Sequence, residues 1–224
     1  MNVILGDSRV LNVKRSQHSW GLKEVEDIWG RPGAKFSNCI DLVDDHIIYH
    51  HPPITNGKSH YYIAAGICDT TTKLSGPGYQ EVIFNDSDEL LTRIKDSIRN
   101  LDMHVLKQKA IPVFCTIYTM NIKAWNLHRL KQRKTKFLMH KDEYELMQEN
   151  LNKAIDIIND LLVKTNIKNQ VATPLTHMAI TKNRRGKRYT LYNELVDGCH
   201  PGDEAISKIV GSINKAIAQN KSLH

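Results

Sequence analysis

Short apolar runs alternate along this chain with longer stretches in which apolar residues recur every three or four positions. The first pattern predicts strands buried on both faces, and the second predicts amphipathic helices. Asn2–Gly6 is the first apolar run, and the mixed segment Arg9–Leu22 after it is compatible with helix or irregular chain. Val25–Trp29 predicts a second strand, ended by the turn residues Gly30-Arg31-Pro32-Gly33. Phe36, Cys39, Ile40, Val43 and Ile47 have helical spacing, and Pro52-Pro53 stops that helix because proline cannot continue the hydrogen-bond ladder. Ser59–Ile67 predicts a third strand, followed by a Gly- and Pro-containing loop from Thr70 to Gly78. Asp86 and Glu89 resemble a capping box for a helix that carries Leu90, Leu91, Ile94, Ile98 and Leu101 on one face. Ile111–Thr119 predicts the fourth strand and Val171–Ile180 the fifth. Between them a long helix runs through Tyr144, Met147, Leu151, Ile155, Ile158 and Leu162, and a last helix buries Ala205, Ile206, Ile209, Val210, Ile213 and Ile217.

Strands separated by helices imply right-handed βαβ units, hence an α/β fold built as a three-layer α/β/α sandwich. With 224 residues the chain is expected to form a single domain, 1–224. In such a sheet, function gathers beyond the carboxyl ends of the strands, where Gly6-Asp7-Ser8, Gly30–Gly33, Gly66–Asp69 and the segment after Thr119 are expected. The apolar runs are shorter than the ~20 residues that span a bilayer. The opening Met1-Asn2-Val3-Ile4-Leu5 is also too short for a signal-peptide core, so no integral membrane association is expected and an intracellular location, cytoplasmic or nuclear, is the default. Cys39, Cys68, Cys115 and Cys199 form no C-x-x-C pair and suit a reducing compartment. The spacing of His46, His50, His51 and His60 matches no metal-site pattern, and the glycine-rich phosphate loops are lacking, so neither metal nor cofactor is expected.

Two short motifs carry candidate chemistry. Ser8 follows a strand and a glycine, which can leave its hydroxyl exposed at the sheet edge. A serine hydroxyl becomes a useful nucleophile only when a base takes its proton, and His200 is the candidate base. Asp197, three residues earlier, can hold the imidazole in the required tautomer. The competing reading is structural: Ser8 caps a helix and Asp197 caps a turn.

Leu5-Gly6-Asp7-Ser8 and Asp197-Gly198-Cys199-His200-Pro201 resemble the first and last sequence blocks of the SGNH, or GDSL, hydrolases. The resemblance implies a flavodoxin-like five-stranded parallel sheet and a serine esterase or acyl-hydrolase, deacetylases included, with Ser8, Asp197 and His200 as catalytic residues. It also implies an oxyanion hole made by the Ser8 amide, the Gly33 amide (Gly30 being the second match) and the third block. That block, Gly66-Ile67-Cys68-Asp69, has Cys68 where the family places an oxyanion-binding asparagine. Two readings follow: a working enzyme with an altered oxyanion hole acting on a small-molecule or polymer-linked ester, or a scaffold that has drifted from catalysis. Cys68 itself lacks a base that would make it a nucleophile, and Cys199 is expected to pack.

The net charge of +7 is concentrated in two stretches expected to be loops at the same edge. Residues 123–141 include Lys131, Arg133 and Lys134, and residues 182–188 include Arg184, Arg185 and Arg188, with Trp125, Phe137 and Tyr189 interleaved. They are either solvated loops or a surface for nucleic acid or another polyanion. The latter suits a weak or inactive SGNH-like module of the kind carried by mobile elements or viruses.

Overall fold

The computed structural model describes residues 1–50, 59–73, 80–85, 87–132, 141–166, 180–182, 188–190 and 195–222. Its centre is β1 (Asn2–Gly6), every residue of which is buried. Parallel strands flank it on both sides: β2 (Asp27–Gly30) on one edge, then β3 (Ser59–Ala64) and β6 (Ala110–Phe114) on the other, in the order β2-β1-β3-β6. Gly6 is level with both Gly30 and Ala64, and Ile63 with Phe114. The carboxyl ends therefore form one edge, and the loops that leave it open into a common space.

Side-chain alternation along the strands feeds two cores. Val3, Leu5, Tyr61, Ile63 and Phe114 face helices α2 (Cys39–His50), α4 (Asp88–Lys107) and α6 (Lys141–Thr165). Ile4, Tyr62 and Val113 face α1 (Ser8–Arg15) and α7 (Asp203–Ser222). This is the expected α/β/α sandwich. Four of its parallel strands lie among the described residues. Most of the fifth expected strand, from Val171 to 179, lies outside them, and Ile180 belongs to β7 (Ile180–Lys182), which pairs antiparallel with β8 (Arg188–Thr190).

Other boundaries differ from the sequence reading for local reasons. The Arg9–Leu22 segment resolves into α1 and a 3₁₀ turn, Gln17–Gly21. The second strand begins at Asp27 rather than Val25. The third ends at Ala64, because Gly66, at φ +128°, turns the chain into the short helix α3 (Ile67–Thr70). Part of the loop expected after Thr70 is β-structure: β4 (Thr71–Lys73) pairs with β5 (Gln80–Val82), while 74–79 lie outside the description. Helix α4 is capped by Ser87, whose hydroxyl accepts from the Leu90 amide, and Asp86 lies outside the described residues. The segment expected to be a basic loop begins as helix α5 (Ile122–Lys131), capped by Asn121.

The fourth strand also ends early. From Cys115 to Asn121 the chain is irregular yet buried throughout. A buried backbone outside a ladder must find side-chain partners, and α6 supplies them from one stripe. Asn159 accepts from Ile117 N at 2.7 Å and donates to Ile117 O at 2.9 Å. Asn166, just past the helix, does the same for Phe114, at 3.0 and 2.8 Å. Gln148 donates to Met120 O at 2.8 Å and accepts from Ile122 N at 3.1 Å.

Asn159→Ala would leave both Ile117 backbone groups buried and unpaired, a loss of roughly 2–4 kcal/mol. Chemical denaturation of the purified protein should show that loss.

Candidate active site

Gly6 makes the first turn possible. A Cβ there would lie 2.1 Å from Ala64 O and 2.6 Å from Val10 Cγ2. Asp7 then caps α1, accepting from Arg9 N at 2.9 Å. The cap is thus Asp7, and Ser8, as first residue of the helix, keeps its hydroxyl free for other contacts. The buried Asp7 carboxylate is paired with Arg9 at 3.0 Å, and Arg9 also donates to Tyr118 O at 2.8 Å. Its guanidinium lies 4.5 Å from the Tyr118 ring centre. Through Arg9 the Ser8 turn is fastened to the buried segment 115–121.

The loop before α7 is fastened to the same segment. An antiparallel bridge, Leu195 to Pro201, closes it, with Val196 N donating to His200 O at 2.9 Å. Gly198 sits at the apex with φ +90°, its carbonyl accepting from Asn121 N at 2.6 Å. A Cβ on Gly198 would lie 2.6 Å from Trp125 N and 2.7 Å from Asn121 O.

These two attachments bring together residues 192 positions apart. His200 Nε2 is 3.0 Å from Ser8 Oγ, and His200 Nδ1 is 2.7 Å from Asp197 Oδ2. The other Asp197 oxygen accepts from the amides of Cys199 at 2.9 Å and His200 at 2.8 Å. Asp197 therefore caps its turn and holds the imidazole at once. Burial raises its pKa, but bonds from the His200 ring and from the two amides outweigh that and hold it at about 2. At neutral pH it is an ionised carboxylate that can only accept, so in the neutral imidazole the proton sits on Nδ1 and Nε2 accepts from the Ser8 hydroxyl.

Ser8 and His200 open into a cleft of about 600 Å³. Gly33 and Cys68 line it as well, at φ +77° for Gly33, whereas Gly30 lies in β2 packed against Leu11. The Gly33 amide has no partner among the described residues. Burial, with Asp7 and Asp69 nearby, pushes the Cys68 thiol up to about 11, so at neutral pH it is a protonated weak donor and a poor nucleophile. Asp69 accepts from Phe36 N at 3.2 Å and ties the turn after β2 to the one after β3. Burial raises its pKa to about 6 against that hydrogen bond and Lys35.

Sequence reasoning did not foresee the far wall. Trp125 of α5 stands edge-on to the His200 ring at 5.5 Å, with the Arg129 guanidinium 5.8 Å from its ring centre. Asn126, fully buried, accepts from Gln80 N at 2.8 Å and donates to Gln80 O at 3.2 Å, drawing β5 against α5. A polar residue one helical turn after Ile122 was the available signal. Of the basic candidates, Lys131 lies exposed on α5 and Arg188 is in β8, while Arg133, Lys134, Arg184 and Arg185 lie outside the described residues. Cys199 is buried as expected. His46 bonds the Tyr61 hydroxyl at 3.0 Å, and His51 lies outside the description.

Solved structures share this architecture. A GDSL-like lipase from Bacteroides thetaiotaomicron aligns with a TM-score of 0.63 at 14% identity, covering 99% of this chain and 88% of that one. A member of the lipolytic protein G-D-S-L family from Veillonella parvula gives 0.57 at 10% identity, with 97% of each chain covered. The OSK domain of Drosophila Oskar gives 0.55 at 11% identity, covering 96% of this chain and 86% of that one. No protein-family model and no curated protein matches the sequence. The chain has the SGNH-hydrolase fold, as the resemblance of its sequence blocks implied. At such low identity the likeness defines the fold, and the reaction has to be argued from the side chains.

Gly198→Ala would place a methyl against two backbone atoms at a positive φ. It is expected to cost about 2–4 kcal/mol, against about 1–2 for Gly33→Ala, where the strained φ is the only penalty; thermal unfolding of the two variants compares them. Because the Asp69 pKa is raised in the folded state, ionisation of that group weakens the fold as pH rises through about 6. Asp69→Asn should therefore be more stable than the wild type at pH 8, and the difference should vanish below about pH 4, as urea titrations at both pH values would show.

Proposed function

We propose that this protein is a serine ester hydrolase of the SGNH type, with O-acetyl and other short acyl esters as the substrate class. The observation that carries the reading is the unbroken row Ser8–His200–Asp197, at 3.0 and 2.7 Å, with its serine end open to the cleft. Ser8 Oγ attacks the ester carbonyl while His200 Nε2 takes its proton, and the Asp197 carboxylate holds the resulting imidazolium. The tetrahedral intermediate collapses to an acyl-serine as His200 returns the proton to the departing alcohol. A water deprotonated by His200 then attacks the acyl-serine and releases the acid. None of these steps calls on a cofactor.

The Ser8 and Gly33 amides and the Cys68 thiol are the donors assigned to the oxyanion. The first is an opening amide of α1 with no acceptor within its own helix, and such amides suit developing negative charge. The thiol is the weak member. Loss of one oxyanion donor costs roughly a hundred- to a thousand-fold in rate in a well-studied protease, so a slow enzyme is expected. The alternative of a module that binds nucleic acid or another polyanion rests on the basic stretches 123–141 and 182–188, of which residues 133–140 and 183–187 lie outside the described residues.

A fluorophosphonate probe should label the wild type and leave Ser8→Ala unlabelled, with hydrolysis of 4-nitrophenyl acetate lost in parallel. Folded wild type that neither reacts with the probe nor turns over the ester would sink the proposal. Cys68→Asn, which supplies a stronger donor at the same position, is expected to raise kcat by about ten- to a hundred-fold. An unchanged or lower kcat would remove Cys68 from the oxyanion site.

A further inference from the structure

Among the described residues, the charged side chains that line the cleft are basic. Lys35 enters from the turn after β2, Lys73 ends β4, and Arg129 projects from α5, while no carboxylate side chain lines the same space among the described residues. Three acids close to lining residues have partners of their own: Asp7 is paired with Arg9, Asp69 accepts from the Phe36 amide and Asp197 from His200. Neither Lys35 nor Lys73 forms an ion pair among the described residues.

The two cations on the far wall are positioned by the fold. Lys73 pairs in register with Gln80, and Gln80 is held to α5 by both hydrogen bonds of the buried Asn126 amide. One turn along the same helix, Arg129 lies over Trp125, whose ring is against His200. In the reaction proposed above, His200 hands its proton to the departing alcohol. That alcohol therefore leaves along the wall that carries Trp125, Arg129 and Lys73.

On the basis of the hydrolase reading, we propose that the substrate is an acyl ester of an anionic alcohol, one that carries a phosphate or carboxylate group held by Arg129 and Lys73. Lys35, on the oxyanion wall, extends the positive field across the mouth of the cleft. Arg129 offers a planar fork suited to two oxygens of such a group, and Lys73 a mobile point charge. Trp125, which lines the cleft beside His200, is placed to pack against the carbon skeleton between the ester and the anion. Because the cations are solvent-accessible, the preference should weaken as salt shortens the range of the field.

The test compares acetyl esters of para-substituted phenols: neutral phenyl acetate, 4-acetoxyphenyl phosphate, 4-acetoxybenzoate and the cationic 4-acetoxy-N,N,N-trimethylanilinium. Each kcat/KM is divided by the rate of hydroxide-catalysed hydrolysis, to remove differences in leaving group. The phosphate and carboxylate esters should exceed phenyl acetate by about tenfold or more and the cationic ester should fall below it, with the preference shrinking between about 25 and 500 mM salt. In Lys73→Gln/Arg129→Gln the ratio of anionic to neutral kcat/KM should fall to within about twofold of one. Equal or better use of the neutral ester, or a ratio that survives in the double variant, would overturn the proposal. If no ester is turned over and Ser8 is not labelled, the hydrolase reading fails by itself. The anion site is then decided by calorimetry with phenyl phosphate: salt-sensitive binding that the double variant loses upholds it, and no binding to the wild type rejects it.

Discussion

The constraint on which the site depends is the burial of residues 116–121, which lie outside every strand and helix. Such a segment is tolerable only if each polar group meets a fixed partner. On one side the partners come from α6, through Gln148 and Asn159. On the other they are the elements that carry Ser8 and His200: Arg9, beside Ser8, binds Tyr118 O, and Gly198, inside the His200 loop, receives the Asn121 amide. The distance from Ser8 to His200 is thus set by a third body that both must grip. Satisfying the buried backbone and bringing Ser8 to His200 are one structural event.

The Asp7–Arg9 pair belongs to the same logic. Removing an ion pair from water is costly, and a buried pair is weak evidence of stability. Here each member has a second task, Asp7 as helix cap and Arg9 as donor to Tyr118 O, so the pair fixes the orientation of the turn that presents Ser8. Its counterpart is Asp197, whose two oxygens separately close a turn and orient a ring. Both ends of the site use one carboxylate for local geometry and long-range positioning.

The parts of the site written in contiguous residues were legible in the sequence. Gly6-Asp7-Ser8 encodes a close-packed glycine, a cap and a hydroxyl within three positions. Asp197 to His200 encodes an acceptor, a positive-φ residue and a ring within four. The α/β/α layering was also readable, because apolar runs and helical stripes report burial directly. What the sequence hid is structure whose buried face is polar. Helix α5 looked like a basic loop since its buried positions, Ile122 and Asn126, include an asparagine in place of the second apolar residue. The amide stripe of α6 was masked in the same way, lying beside the apolar face that announced the helix. The fourth strand appeared too long because residues 115–119 are apolar enough to read as strand, although Ile117 bonds to the Asn159 side chain and Tyr118 O to that of Arg9. Lys35, Lys73 and Arg129 meet only through tertiary contacts between three separate elements.

Asn126 holds the β4–β5 ribbon by two hydrogen bonds to the main chain of Gln80. Position and identity are therefore decoupled along that wall: the ribbon keeps its place whatever residues it carries. A lineage could rewrite the chemistry facing the cleft there by single substitutions, with the Ser8–His200–Asp197 row and its buried support left intact. The same scaffold would then be expected to diversify first in what it accepts and last in how it reacts.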